Sequence, residues 1–183
     1  PPVVQYFYWI RNVLHGDFGT SISLKQSVSE LILQRLPYTL MLTGAALLIE
    51  YIIAIPLGLL AAVKKNSAAD KSLTVVTIVL WSMPPFWLGV LFILTFSVWL
   101  RILPISGWDG IASLILPAFT LALPSLAQIF RLTRSEVLDV LDEKYVTTAY
   151  AKGLKNKVVL VKHVLRNAMI PVTVMFYDSD GNL

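Results

Sequence analysis

"TLMLTGAALLIEYIIAIPLGLLAAV", residues 39–63, decides the fold class. The run carries one charged side chain, Glu50. As a helix it would be ~37 Å long, enough to cross a bilayer with some tilt. Two further runs have the same character: Leu73–Leu100, "LTVVTIVLWSMPPFWLGVLFILTFSVWL", and Ile111–Phe130, "IASLILPAFTLALPSLAQIF". The whole chain of 183 residues is 56% hydrophobic and 14% charged, with mean hydropathy +0.71. A soluble domain carries about 25% charged residues. These numbers predict an all-α, polytopic transmembrane helical bundle. There is no cysteine, which excludes disulfides and thiolate metal sites.

The basic residues set the orientation. Lys64, Lys65 and Lys71 follow the first span, and Arg101 alone follows the second. Arg131, Arg134, Lys144, Lys152, Lys155, Lys157, Lys162 and Arg166 follow the third. The first and third groups must share a side, and the positive-inside rule makes it the cytoplasm. Residues 1–38 and the loop "RILPISGWDG" (101–110) are then extracytoplasmic. In residues 1–38, "SVSE" (Ser27–Glu30) is a capping-box pattern. It predicts a short interfacial helix ending near Pro37. An external N-terminal segment needs a span before it, so the chain is expected to be a fragment. The nine-residue run "AMIPVTVMF" from Ala168 is too short to cross, and reads as a transmembrane helix cut off by the polar tail "YDSDGNL" (177–183).

Each span contains helix breakers. Pro84-Pro85 in "SMPPFWLG" leaves carbonyls needing new partners. Broken helices lining a path, and ordinary kinks, are equally compatible with it. Glu50 is an intramembrane carboxylate, costly in lipid and a candidate pathway group. A protonated glutamate at a helix interface is the simpler reading. Glu50, Met83, Pro84, Pro85 and Phe86 are the pathway candidates.

Catalytic signals fail. "GDFGTS" (Gly16–Ser21) contains Asp-Phe-Gly but lacks every other kinase element, and no Gly-Lys-Ser/Thr follows it. His15 and His163 have no second ligand at helical spacing. No catalytic, cofactor-binding or metal residues are assigned.

The third span is followed by a polar insert. From Val137, the spacing of Leu138, Leu141, Tyr145 and Ala149 predicts an amphipathic helix. Gly153 sits where a left-handed residue would end it, and Asn156 can cap a second helix. That helix carries Leu154, Val158, Val161 and Leu165 on one face, with Lys155, Lys162 and Arg166 beside them. Such a helix–turn–helix fits a partner's groove, an anionic lipid surface, or a solvated face packed on its own bundle. The neighbouring acidic residues argue against nucleic acid.

Residues 145–171, "YVTTAYAKGLKNKVVLVKHVLRNAMIP", resemble the cytoplasmic coupling loop of ABC importer permeases, specifically the dipeptide/oligopeptide/nickel group. Tyr145-Val146, Thr148-Ala149, Ala151 to Leu154, and His163 to Ala168 carry the likeness, with Ile170-Pro171 after them. "GDFGTSIS", "RLPYTL", "IPLGLLAAV", "SMPPFWLGVL" and "LPISGW" extend it to nearly the whole chain.

The resemblance implies a multi-pass permease of a prokaryotic inner membrane, importing di- or oligopeptides. Its implied partners are cytosolic ATP-binding subunits, a second permease subunit, an extracytoplasmic substrate-binding protein and membrane lipid. ATP and Mg would be bound by the ATPase, none by this chain. Tyr145, Thr148, Ala149, Ala151, Lys152, Gly153 and Leu154 would form the docking face. His163, Arg166 and Asn167 would tie the second helix to the partner or the bundle. The implied organisation is an extracytoplasmic segment (1–38), three transmembrane helices (39–135), a coupling loop (136–167) and a truncated helix with its tail (168–183). The alternative function is an ATPase-independent channel or scaffold with a basic lipid-surface helix pair.

Overall fold

A backbone in hydrocarbon must satisfy its own hydrogen bonds, so apolar runs of this length fold as helices. The computed structural model describes residues 2–178, with side chains through Val174. The expected tail 177–183 lies almost wholly outside them. Among the described residues there is no strand, only an isolated bridge between Thr20 and Ser27. The chain divides into two compact units, Pro1–Gly44 and Ala45–Leu183.

The first unit opens with α1 (Pro2–Leu14), which the sequence reading did not foresee and none of whose residues is buried. A turn-rich loop follows, in which Asp17 Oδ1 accepts from the Gly19 amide at 2.9 Å. The Ser29 hydroxyl donates to the Gly16 carbonyl at 2.8 Å. Helix α2 (Val28–Val63) starts directly after Ser27, as the capping pattern predicted. The predicted stop near Pro37 is wrong. The helix runs through both Pro37 and Pro56, because each proline removes only one amide donor from a long ladder.

In the second unit, Ala46, Glu50, Ala54, Gly58 and Ala62 are buried at every fourth position of α2, a single stripe of mostly small residues. The stripe faces α5 (Ala112–Leu141). Glu50 interacts with Ser125, and Gly58 lies against Phe130 and Thr133. Ala62 joins Val137 in one buried cluster. The pairs advance together, so the two helices run parallel. A Cβ on Gly58 would sit 2.8 Å from Thr133 Cβ and 2.9 Å from the Phe130 carbonyl oxygen. Only glycine allows that approach. The Thr133 hydroxyl is buried there with no hydrogen-bond partner among the described residues.

Helix α3 (Ala68–Ser82) is capped by Ser67, whose hydroxyl accepts the Asp70 amide at 3.2 Å. The Asp70 carboxylate accepts the Asn66 amide at 2.9 Å. It also takes a bidentate pair from Arg134, Nε at 2.7 Å and Nη2 at 2.8 Å. This fixes the 64–67 turn to the end of α5 and brings the two large basic groups to one end of the unit, as the sequence required.

The second span is not one helix. Met83 (ψ 131°) and Pro84 (ψ 135°) are extended, as residues before proline prefer. Helix α4 (Pro85–Phe92) continues as a π-helical segment, Ile93–Trp99. This limb departs from α3 at 103°. Asp70 meets Arg134 at one end, while Phe92 and Phe96 share an apolar cavity with Ile115 and Phe119 at the other. The bent pair therefore meets α5 at two points ~28 Å apart along its axis, a break that suits a broken span or a re-entrant loop alike. Among the described residues, two helices are long and apolar enough to cross a membrane, three if the bent pair counts as one. Pro117 and Pro124 lie inside α5 without ending it.

Gly58→Val should wedge α2 from α5 and cost about 1–3 kcal/mol, as overpacking does. Gly44→Ala, with nothing within 4 Å of its Cβ, serves as control in the same helix. Thermal melts in detergent should separate the two variants; equal melting temperatures would refute the close crossing. Asp70→Asn should strand Arg134 and destabilise by about 3 kcal/mol. A melt unchanged from wild type would show that the ion pair does not hold the α3–α5 corner.

Candidate partner-docking site

The site is built where α5 runs out. The expected continuous helix from Val137 is two helices. Asp142 closes α5, and Glu143 turns extended (ψ 140°), so α6 (Lys144–Ala151) starts afresh. Asp142 and Glu143 donate their amides to Asp139 and Val140, the bonds of a tightened last turn.

Gly153 ends α6 as predicted. Its φ is +76°, its amide donates to the Tyr150 carbonyl at 2.9 Å, and the Leu154 amide reaches back to Ala149 at 3.3 Å. These two bonds define a Schellman stop. No atom lies within 4 Å of a Cβ built there, so the turn needs glycine for its backbone angle alone.

A second helix follows as α7 (Asn156–Val158), a π-helical segment (Val159–Leu165) and α8 (Arg166–Asp178). Asn156 does not cap it. Lys155 is the capping residue, and the Asn156 amide oxygen instead accepts the Tyr150 hydroxyl at 2.7 Å. That bond straps the two helices across the glycine turn. A second strap runs from Asn167 Nδ2 to the Tyr145 hydroxyl at 2.9 Å. Asn167 thus ties α8 to α6, within the chain.

The faces of α6 differ from the sequence expectation at one position. Val146 and Ala149 are buried, at 1% and 6% exposure. They pack with Ala62 of α2, Val137 of α5, and Val159, Val164 and Ala168 of the second helix. Ala149 is therefore not on a docking face; its small methyl lets α6 settle onto its own unit. The outer face carries Tyr145, Thr148, Ala151 and Lys152, with Gly153 and Leu154 exposed at the turn. The Thr148 hydroxyl donates to the Lys144 carbonyl and stays on this helix. His163 is half-buried and Arg166 exposed, and both line a cavity on the second helix, off the α6 face.

The pathway candidates do not form one group. Glu50 is 5% exposed and within reach of Ser125, so it lies in the α2–α5 contact. Met83, Pro84, Pro85 and Phe86 form the bend, with Phe86 strongly exposed. Sequence reasoning missed Asp70 and Arg134, although Ser67-x-x-Asp70 repeats the capping pattern noticed at Ser27. It also missed the guanidinium of Arg131 over the Trp81 ring, 4.4 Å from its centroid. Among the described residues, no cluster of three or more potential ligands could hold a metal ion.

Comparison with known proteins agrees with the resemblance read from the loop. Residues 54–177 match the family model for the binding-protein-dependent transport system inner membrane component. The oligopeptide transport system permease protein AppB of Bacillus subtilis is 43% identical over 187 residues, covering 96% of this chain and 59% of that protein. The dipeptide transport system permease protein DppB of Escherichia coli is 36% identical, covering 98% and 62%. A putative peptide transport system permease protein of Brucella abortus is 38% identical, covering 94% and 57%. The chain spans about three-fifths of the length of these relatives. With the family model matched across α5, the glycine turn and the helices around them, the chain belongs to the binding-protein-dependent transport system inner membrane components.

Proposed function

We propose that this chain is a permease subunit of an ATP-driven peptide importer and that α6 is the joint through which a cytosolic ATPase moves it. One observation carries the reading: α6 is clamped on its inner side to α2, α5 and α8, while its outer side is left open. A push on Tyr145, Thr148, Ala151 or Lys152 would pass through Val146 and Ala149 into three helices at once. Packed interiors transmit such displacement because they deform little. The oligopeptide and dipeptide permeases among its relatives supply the substrate class, di- and oligopeptides.

The remaining machinery belongs to other chains in this reading. ATP and Mg sit on the ATPase pair, a second permease completes the pathway, and an extracytoplasmic binding protein delivers the peptide. This chain contributes no hydrolytic group. The basic ends of α2 and α5 face the cytosol, so the loop meets the ATPase there. Coupling requires the ATPase to grip the two permease states with different affinity.

Because the chain has no cysteine, single cysteines report cleanly. Thr148→Cys should crosslink to a cysteine-bearing ATPase subunit, and Val146→Cys, on the clamped face, should not. Crosslinking from Val146 but not from Thr148 would reverse the assignment of the faces. Gly153→Val should abolish ATP-driven uptake, since a β-branched residue at positive φ is strained by about 1–2 kcal/mol or more. Gly153→Asn, which tolerates that region, should retain part of it. Full uptake by the valine variant would remove the turn from the mechanism.

A further inference from the structure

Two rows of side chains run along the second helix on opposite sides. Val164, Ala168 and Val172 are buried, at 0%, 0% and 2% exposure. Lys162, Arg166, Ile170 and Val174, also at every fourth position, are exposed. The outer row changes character along the axis, from two cations to two aliphatic side chains. Ile170 is 61% exposed and Val174 59%. Lys162, His163, Arg166, Asn167 and Ile170 together line a cavity of about 540 Å³.

The cations there are uncompensated. No aspartate or glutamate occurs from Lys152 to Tyr177. Among the described side chains, the ion pair is Asp70 with Arg134, at the α3–α5 corner. Asn167 is already held by its bonds to Tyr145 and the His163 carbonyl, so it gives the cavity a fixed floor. A row of cation, cation, aliphatic, aliphatic matches a molecule with an anionic head and a hydrocarbon tail. It also matches the depth at which such a molecule lies, because α8 leaves the polar loop and enters the apolar run at Ala168.

We infer that the Lys162–Arg166 end of this row, with the cavity beside it, is a binding site for an anionic phospholipid. The phosphate sits between the ammonium and the guanidinium, and an acyl chain follows Ile170 and Val174. Arg166 supplies planar, forked donors to phosphate oxygens, and Lys162 a mobile point charge. The site rests on the reading that places the 152–166 loop at the cytoplasmic surface, where anionic lipid concentrates. It is separate from the α6 face assigned to the ATPase. Its consequence is mechanical: a lipid seated here steadies the helix that α6 straps through Asn167 and Tyr145.

The test uses the purified full chain in nanodiscs containing phosphatidylglycerol and phosphatidylcholine, read by native mass spectrometry of the retained lipid. Wild type should keep phosphatidylglycerol in preference to phosphatidylcholine. Lys162→Gln/Arg166→Gln should bind it roughly 30-fold more weakly, from about fivefold per lost cation near the surface. Ile170→Asn should weaken retention of the intact lipid while leaving inorganic phosphate binding unchanged, which separates a lipid from a bare anion. Equal retention of the two lipids by wild type, or unchanged retention by the double variant, would overturn the site. So would competition by millimolar phosphate that matches displacement by lipid. Loss of ATPase co-purification in the double variant, with lipid retention intact, would reassign the row to protein contact.

Discussion

The close crossing of α2 over α5 at Gly58 governs the second unit. Water cannot drive two apolar helices together inside a bilayer, so van der Waals contact must do it. Contact of that kind needs backbones near one another, and the stripe Ala46, Ala54, Gly58, Ala62 removes the side chains that would keep them apart. The crossing also carries a cost, since the buried Thr133 hydroxyl at its tightest point has no hydrogen-bond partner among the described residues. A helix pair in parallel register places the last turn of α2 beside Val137, and so beside everything that follows α5.

From that register the placement of α6 follows. Ala62 of α2 and Val137 of α5 supply two walls of the cluster that receives Val146 and Ala149. Without the α2 wall, α6 would have only Val137 of α5 and its own hairpin to pack on, and eight residues of helix are marginal alone. The Asp70–Arg134 pair acts at the same end. It holds the 64–67 turn against α5 with two short bonds, one helical turn before Val137. The seat of α6 is therefore stiff on its inner side through apolar packing and at its corner through charge, while α3 and α4 part at Met83 and Pro84.

Much of this was legible in the residues. Three apolar runs, the shared side of two basic groups and the Gly153 stop were all readable, because each depends on local composition or on one backbone angle. The misreadings share a different cause. Periodicity shows that α6 has two faces but not which is covered, and Ala149 went to the wrong one because a small residue suits both a partner's approach and a tight internal seat. Pro37 looked like an end because its effect in water is to end helices, whereas a long apolar ladder outlasts one missing donor. Asp70 and Arg134 lie 64 positions apart, and no local pattern joins them. Only the cap Ser67-x-x-Asp70 was visible, and its carboxylate has a second role that the cap does not announce.

The second helix shows how one segment serves two environments. Its inner row of Val164, Ala168 and Val172 closes both clusters of the second unit, the one under α6 and the one around Phe130. Its outer row makes no such closure, and its first members are cations with no acid near them in sequence. Burying those cations against the chain's own apolar core would cost several kcal/mol each without a counter-charge. The helix can therefore rotate neither way: turning the outer row inward strands charge, and turning the inner row outward opens the cluster that holds α6. The orientation of α8, and with it the strap from Asn167 to Tyr145, is set by this opposition more than by any single bond.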